Sequence, residues 1–218
     1  MHVPNKSKSS MSIDTTPPVD CLHRLDLTLM TMTGGVSKRG TFGAVAKIRE
    51  GEFPTFVLSK PCAVHEITRN GNIVLRVNNP LDRDSLFGLQ NSMIVLLFSL
   101  MPMTDGMTCN DATSMVRHVV VNDEQDGVHF LVRVTRDEPD CIHHPTRIHM
   151  RHNPNDAIKR NVGLHRLKEG QKVYPIFHVS GASMDPSSDR LVPHISVSDV
   201  IVCCCEEDEE DWAVCTST

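Results

Sequence analysis

The dipeptide Asn70-Gly71 is flanked by two runs of strand-forming residues, Ala63-Val64-His65-Glu66-Ile67 and Ile73-Val74-Leu75-Arg76-Val77. Asn-Gly accepts the positive φ angles of a type I′ turn, whose twist suits two antiparallel strands. A two-residue loop would set Ile67 opposite Val74 and Glu66 opposite Leu75, so this stretch commits the chain to at least one hairpin. Other segments repeat the theme. Leu25-Asp26-Leu27-Thr28-Leu29 alternates with period two, the mark of a half-buried strand, and Gly34-Gly35 ends it. Thr41 to Ile48 and Phe56 to Ser59 read as two more strands. Met115 to Val121 and Val128 to Thr135 bracket the polar stretch Asn122 to Gly127 as a second hairpin, with Val128, Phe130, Val132 and Val134 facing the core. Val173 to Val179 and Ile195 to Val202 add the last pair. Ser92 to Leu100 is continuously apolar and of strand length, which suits a strand covered on both faces, and residues 101–114 read as a loop.

Eight to ten short β runs spaced by turn residues, without β–α alternation, predict a mainly β chain folded as an antiparallel β-sandwich or barrel. Its single domain covers residues 21–203. Residues 1–20 form a polar, proline-bearing disordered arm and residues 204–218 an acidic disordered tail. One long polar excursion, about 136–172, holds a short helix: Asn153 caps it, Pro154 suits its first position and Gly170 follows its last basic turn. Aromatic residues make up only 4% of the chain, so the core must rest on aliphatic residues and the eleven methionines. No apolar stretch follows Lys6 and Lys8, and the run Met93 to Met103 is interrupted by Ser99 and Pro102. These features predict no secretory signal and no membrane span, hence a cytoplasmic or nuclear protein. In that setting the eight cysteines are reduced thiols rather than a disulfide framework.

Charge is concentrated in Cys141 to Lys172, which holds seven basic residues against two acids and five of the twelve histidines. The opposite sign lies in Glu206 to Asp211, six acids in succession. Arg147, Arg151, Lys159, Arg160, Arg166 and Lys168 form a candidate polyanion-binding set, since Lys and Arg neutralise phosphates without reading sequence. No aromatic residue lies between Phe130 and Tyr174, so the segment offers no platform for stacking bases. Cys141, His144, His149 and His152 supply one sulfur and three imidazoles, donors that zinc takes tetrahedrally. Their spacing follows no finger pattern, and a solvated loop explains them as well.

Val179-Ser180-Gly181-Ala182-Ser183-Met184-Asp185-Pro186, followed by Asp199-Val200-Ile201-Val202, resembles the serine motif of the LexA-like and signal-peptidase-type serine–lysine proteases. That resemblance covers roughly 25 residues and implies a nucleophile at Ser183. It also implies a lysine base later in the chain, whereas Lys172 is the last lysine. A Gly/Pro/Ser loop between two strands accounts for the same octapeptide. A β core carrying an acidic run resembles, in layout alone, the nucleoplasmin-like histone chaperones. The sequence is thus read as a non-enzymatic interaction or structural module that binds a protein partner, a copy of itself or a nucleic acid through its basic His-rich segment and its acidic tail. Two alternatives stand beside it: a zinc-binding protein or hydrolase centred on the Cys/His cluster, and a degenerate serine–lysine protease-like protein at Ser183.

Overall fold

The structure, a computed structural model, describes residues 19–36, 41–48, 51–100, 108–124, 126–135, 145–150, 163–185, 187–188 and 190–202. Leu25 to Leu29 does not form the expected strand. Two 3₁₀ turns, Leu22–Arg24 and Leu27–Leu29, occupy it, because the Asp26 carboxylate accepts hydrogen bonds from the Thr28 amide (3.1 Å) and hydroxyl (2.6 Å). Such local bonds compete with a sheet ladder. Strand β1 follows at Met30–Val36 and pairs antiparallel with β2, Phe42–Ile48. Gly34-Gly35 therefore lies inside a strand instead of ending one. A Cβ on Gly34 would sit 2.7 Å from the Gly43 carbonyl oxygen, so the close approach of the two backbones requires glycine there.

Strands β3, β4 and β5 span Thr55–Val57, Cys62–Ile67 and Ile73–Val77. The Asn70-Gly71 hairpin is present, with a register one residue from the expected one: Ile67 faces Ile73 and Glu66 faces Val74. The Gly71 amide donates to the Thr68 carbonyl at 2.8 Å, the Thr68 amide to the Asn72 carbonyl at 2.9 Å, and Gly71 has φ +79°. A three-residue loop ending in a left-handed glycine thus replaces the two-residue I′ turn.

The largest correction concerns Ser92 to Leu100. These residues end a 21-residue helix, α1, Pro80–Leu100. Asn79 begins it, its side-chain oxygen accepting from the Asp82 amide at 3.1 Å, and Pro80 takes the first helical position. Leu86, Leu89, Gln90, Met93, Ile94 and Leu97 are buried at the three- and four-residue spacing of one helical face. The fully buried Asp82 carboxylate accepts from the Ser59 amide and hydroxyl (2.8 and 2.9 Å) and the Lys60 amide (3.1 Å), which clips the helix start to the segment after β3. A second helix, α2, Cys109–Met115, takes the end of the expected loop, whose residues 101–107 lie outside the described ones; a reciprocal Thr108–Asp111 capping box opens it.

Strands β6 (Val120–Asp123) and β7 (Gly127–Val134) make the second hairpin, its first arm shortened because α2 claims Met115. Val128, Phe130 and Val132 are buried as expected, and Val134 packs against the core. The polar excursion returns to the sheet as β8, Arg147–Met150, and later makes a 3₁₀ turn at Leu164–Arg166; the helix expected from Asn153 falls largely outside the described residues. Strands β9 (Lys172–Asp185) and β10 (Arg190–Val202) form a long hairpin, so the serine octapeptide is mostly strand rather than loop.

The chain is mainly β, and its large sheet is mixed rather than purely antiparallel: β10 runs parallel to both β7 and β8. Pairings β9–β4, β4–β5, β5–β7, β7–β10 and β10–β9 return to their starting strand. Inside, the Phe177 ring lies 5.0 Å from that of Phe56 and 5.2 Å from that of Phe130, a compact aromatic cluster within an aliphatic core. Cys21 and Cys62 are both buried, the Cys62 thiol 3.6 Å from the Val173 carbonyl oxygen, and burial pushes the Cys21 thiol up, away from reactivity. No described helix is long and apolar enough to cross a membrane.

Candidate functional site

Of the candidate groups in the central segment, two are exposed and two are engaged within the sheet among the described residues. Arg166 and Lys168 are exposed beside the last 3₁₀ turn. Arg151, Lys159 and Arg160 lie outside the described residues, as do Cys141, His144 and His152. Arg147 and His149, two apart on β8, both turn to Asp199 of β10. Arg147 makes a two-pronged contact, Nε to Oδ1 at 2.9 Å and Nη2 to Oδ2 at 3.1 Å, and His149 Nε2 lies 2.8 Å from Oδ1. Burial pushes the Asp199 carboxyl up, but hydrogen bonds from Arg147, His149 and Ser198, with the Arg147 charge, outweigh it and hold the group below the usual carboxylate range. The charge of Arg147 is therefore already matched, and His149 serves this ion pair. This ties β8 to β10 in the parallel register Arg147↔Asp199.

Ser183 sits within a ladder. It pairs with Gly43 of β2 on one side and Val192 of β10 on the other. Its Oγ lies 2.8 Å from His194 Nε2, so its side-chain partner is an imidazole and not the lysine that the protease resemblance implies. Gly181, two residues earlier, has φ +141°, and a Cβ there would stand 1.9 Å from the Ala44 carbonyl oxygen. The glycine before the serine thus serves strand packing. Asp185 closes the motif by accepting from the Ser187 amide and hydroxyl and the Ser188 hydroxyl; the Ser187 side chain is the main cause that holds its carboxyl below the usual range.

A cleft of about 250 Å³ opens where the first hairpin loop, the segment after α2, β7 and β10 meet. Val119, Leu131, Val192, Pro193 and Ile195 supply its apolar lining, and Thr68, Asn70, Asn72, Arg117 and Arg133 its polar one. Each is there for a local reason. The three-residue hairpin loop projects Thr68, Asn70 and Asn72. The Arg117 amide donates to the Leu191 carbonyl at 2.7 Å, which anchors that arginine to β10. Arg133 stands on β7 between core residues Val132 and Val134, opposite Ser196. Partial burial and the neighbouring Arg117 both hold the Arg133 guanidinium below its usual value. None of the described lining residues is acidic; Asp185 feels the Arg117 charge but is not among them. Two neighbouring guanidinium groups with the side-chain amides of Asn70 and Asn72 suit an anionic oxygen cluster, whose binding relieves their mutual repulsion, while the Thr68 hydroxyl donates to the Asn72 carbonyl within the loop.

Sequence reasoning missed this site. Arg133 was legible as an outward position of an alternating strand, but Arg117 lies sixteen residues away with no local signal joining them. A second cluster, His65, Asp126 and His129, gathers three metal-ligating side chains, with donor atoms within 4.8 Å of one another. No family model matches the chain, and no curated protein matches it.

Proposed function

We propose that this protein is a non-enzymatic β module that binds a polyanion, nucleic acid above all, through the Arg117–Arg133 cleft with the exposed Arg166 and Lys168 as further contacts. The observation that carries the reading is the pair of like charges in one amide-bearing cleft whose described lining residues include no acid. Protein contacts or self-association, and a cytoplasmic or nuclear setting, belong to the same proposal. Among the described members of the expected basic set, Arg147 is the weakest, because Asp199 already matches its charge.

Fluorescence anisotropy with a labelled single-stranded oligonucleotide tests this. Removing both arginines (Arg117→Ala with Arg133→Ala) should weaken binding at least about tenfold, since a hydrogen bond to a charged group contributes about 1.5–3 kcal/mol. Arg147→Ala should change it less than about twofold, the scale of an exposed or already paired charge. Equal losses in the two variants would return the contact to the central segment, and an unbound oligonucleotide at low salt would end the proposal.

A further inference from the structure

His65, Asp126 and His129 come from three places. His65 belongs to β4 at the point where the β4–β5 register slips between Val64 and Glu66. A bulge of this kind re-aims a side chain out of its ordinary alternation. His129 belongs to β7 and faces Arg76 of β5, which in turn faces Ala63 of β4. Asp126 ends the β6–β7 loop, just before Gly127, whose φ of +90° lets the chain turn back into β7. The two imidazole rings stack with centroids 4.2 Å apart and planes 25° apart, so one ring must turn for both nitrogens to aim at a single ion.

The distances decide how to read the group. His65 Nδ1 lies 3.8 Å and His129 Nε2 3.9 Å from the same oxygen, Asp126 Oδ2. Hydrogen bonds would bring these atoms to about 2.7–3.2 Å. Donors around a tetrahedral zinc, each about 2.0–2.2 Å from the ion, stand about 3.3–3.6 Å apart. The observed spacing is thus too wide for direct hydrogen bonds and a few tenths of an ångström wider than a zinc site. The other carboxylate oxygen, Oδ1, faces Arg76 Nη1 at 3.6 Å, which leaves Oδ2 directed at the imidazoles. His129 Nε2 and Arg76 Nε are shielded from solvent and have no hydrogen-bond partner among the described residues. A shielded nitrogen without a partner is costly, and a bound ion would satisfy that of His129.

We infer that His65 Nδ1, His129 Nε2 and Asp126 Oδ2 form a three-ligand site for a zinc-class divalent ion, with Arg76 as the outer partner that orients the carboxylate. Two neutral imidazoles and one carboxylate favour zinc, cobalt, nickel or copper over calcium and magnesium, which take oxygen donors. Three protein ligands leave the fourth position to water, and the half-exposed Asp126 gives the ion a way in. The site is distinct from the Cys141, His144, His149 and His152 set and from the arginine cleft.

The test is calorimetric titration of zinc into the full chain after stripping with a chelator and dialysis, repeated with cobalt for its coordination spectrum. One zinc per chain is expected, with a cobalt spectrum of low-coordinate nitrogen and oxygen ligation. Loss of an outer-shell partner typically weakens a site about 10–100-fold, so losing a ligand in His129→Ala or Asp126→Asn should cost at least about a hundredfold. Asp126→Asn alters a half-exposed loop side chain and keeps the test valid if His129→Ala does not fold. Cys141→Ser should leave the titration unchanged. Absence of stoichiometric zinc, zinc retained by Asp126→Asn, or zinc lost in Cys141→Ser would each overturn the assignment.

Discussion

Gln90 offers the sharpest test of how helix α1 is joined to the sheet. It is 3% exposed, and its Oε1 accepts from two consecutive amides, those of Val119 (2.9 Å) and Val120 (2.8 Å). Gln90→Met keeps the length and most of the packing volume but removes the only acceptor that those two hydrogen bonds use. A buried donor left unsatisfied costs about 1–3 kcal/mol, so the pair should cost about 2–5 kcal/mol. At about 2–4 °C per kcal/mol for a chain of this size, the melting temperature should fall by about 5–15 °C. Urea and thermal unfolding followed by far-UV circular dichroism would measure both. Val119 lines the arginine cleft and Arg117 stands two residues before it, so oligonucleotide binding should also weaken at temperatures where the variant remains folded. A loss below about 0.5 kcal/mol would refute the reasoning, since it would mean that these amides find equivalent partners and that α1 does not hold the β6 entrance.

Two further outcomes follow from the sheet. Because Asp199 titrates below its ordinary range, its contribution to stability is present above about pH 4, the usual unfolded value, and is lost as pH falls through the depressed native value. Asp199→Asn should therefore show a flatter stability–pH curve than wild type below about pH 4 in urea titrations, and parallel curves would contradict the Arg147–His149–Asp199 account. Gly181→Ala should cost at least about 2 kcal/mol, because its φ is unfavourable for alanine and its Cβ would strike the Ala44 carbonyl, whereas Gly43→Ala meets nothing within 4 Å and should be far milder. Equal effects in thermal unfolding would rule out the close β2–β9 approach.

The β character was legible wherever the alternation was strict. In β7, Val128, Phe130 and Val132 point inward as their period-two spacing requires. The hairpin at Asn70-Gly71 was legible as a turn but not in register, because a three-residue loop closed by a left-handed Gly71 and a two-residue type I′ turn draw on the same residues. Helix α1 was misread for a physical reason. Seen alone, Ser92 to Leu100 has no polar face, so its period is hidden; only the wider window from Leu86 to Leu97 shows the helical spacing. Asn79-Pro80, which looks like a strand breaker, is also a good helix start. The candidate sites were less legible still. Arg117 and Arg133 meet through the β6–β7 hairpin and β10, and His65 reaches His129 across β5, pairings that no local pattern announces. Conversely, the conspicuous charge of Arg147 is cancelled by Asp199, 52 residues away.

The central claim, polyanion binding through the arginine cleft, is tested most directly by the salt dependence of oligonucleotide affinity. For single strands the logarithm of the binding constant falls with the logarithm of salt concentration by about 0.7 for each phosphate neutralised. Wild type should show a steep negative slope, and the Arg117→Ala, Arg133→Ala double variant a slope shallower by about 1.4. A double variant whose slope and affinity match wild type would contradict the claim.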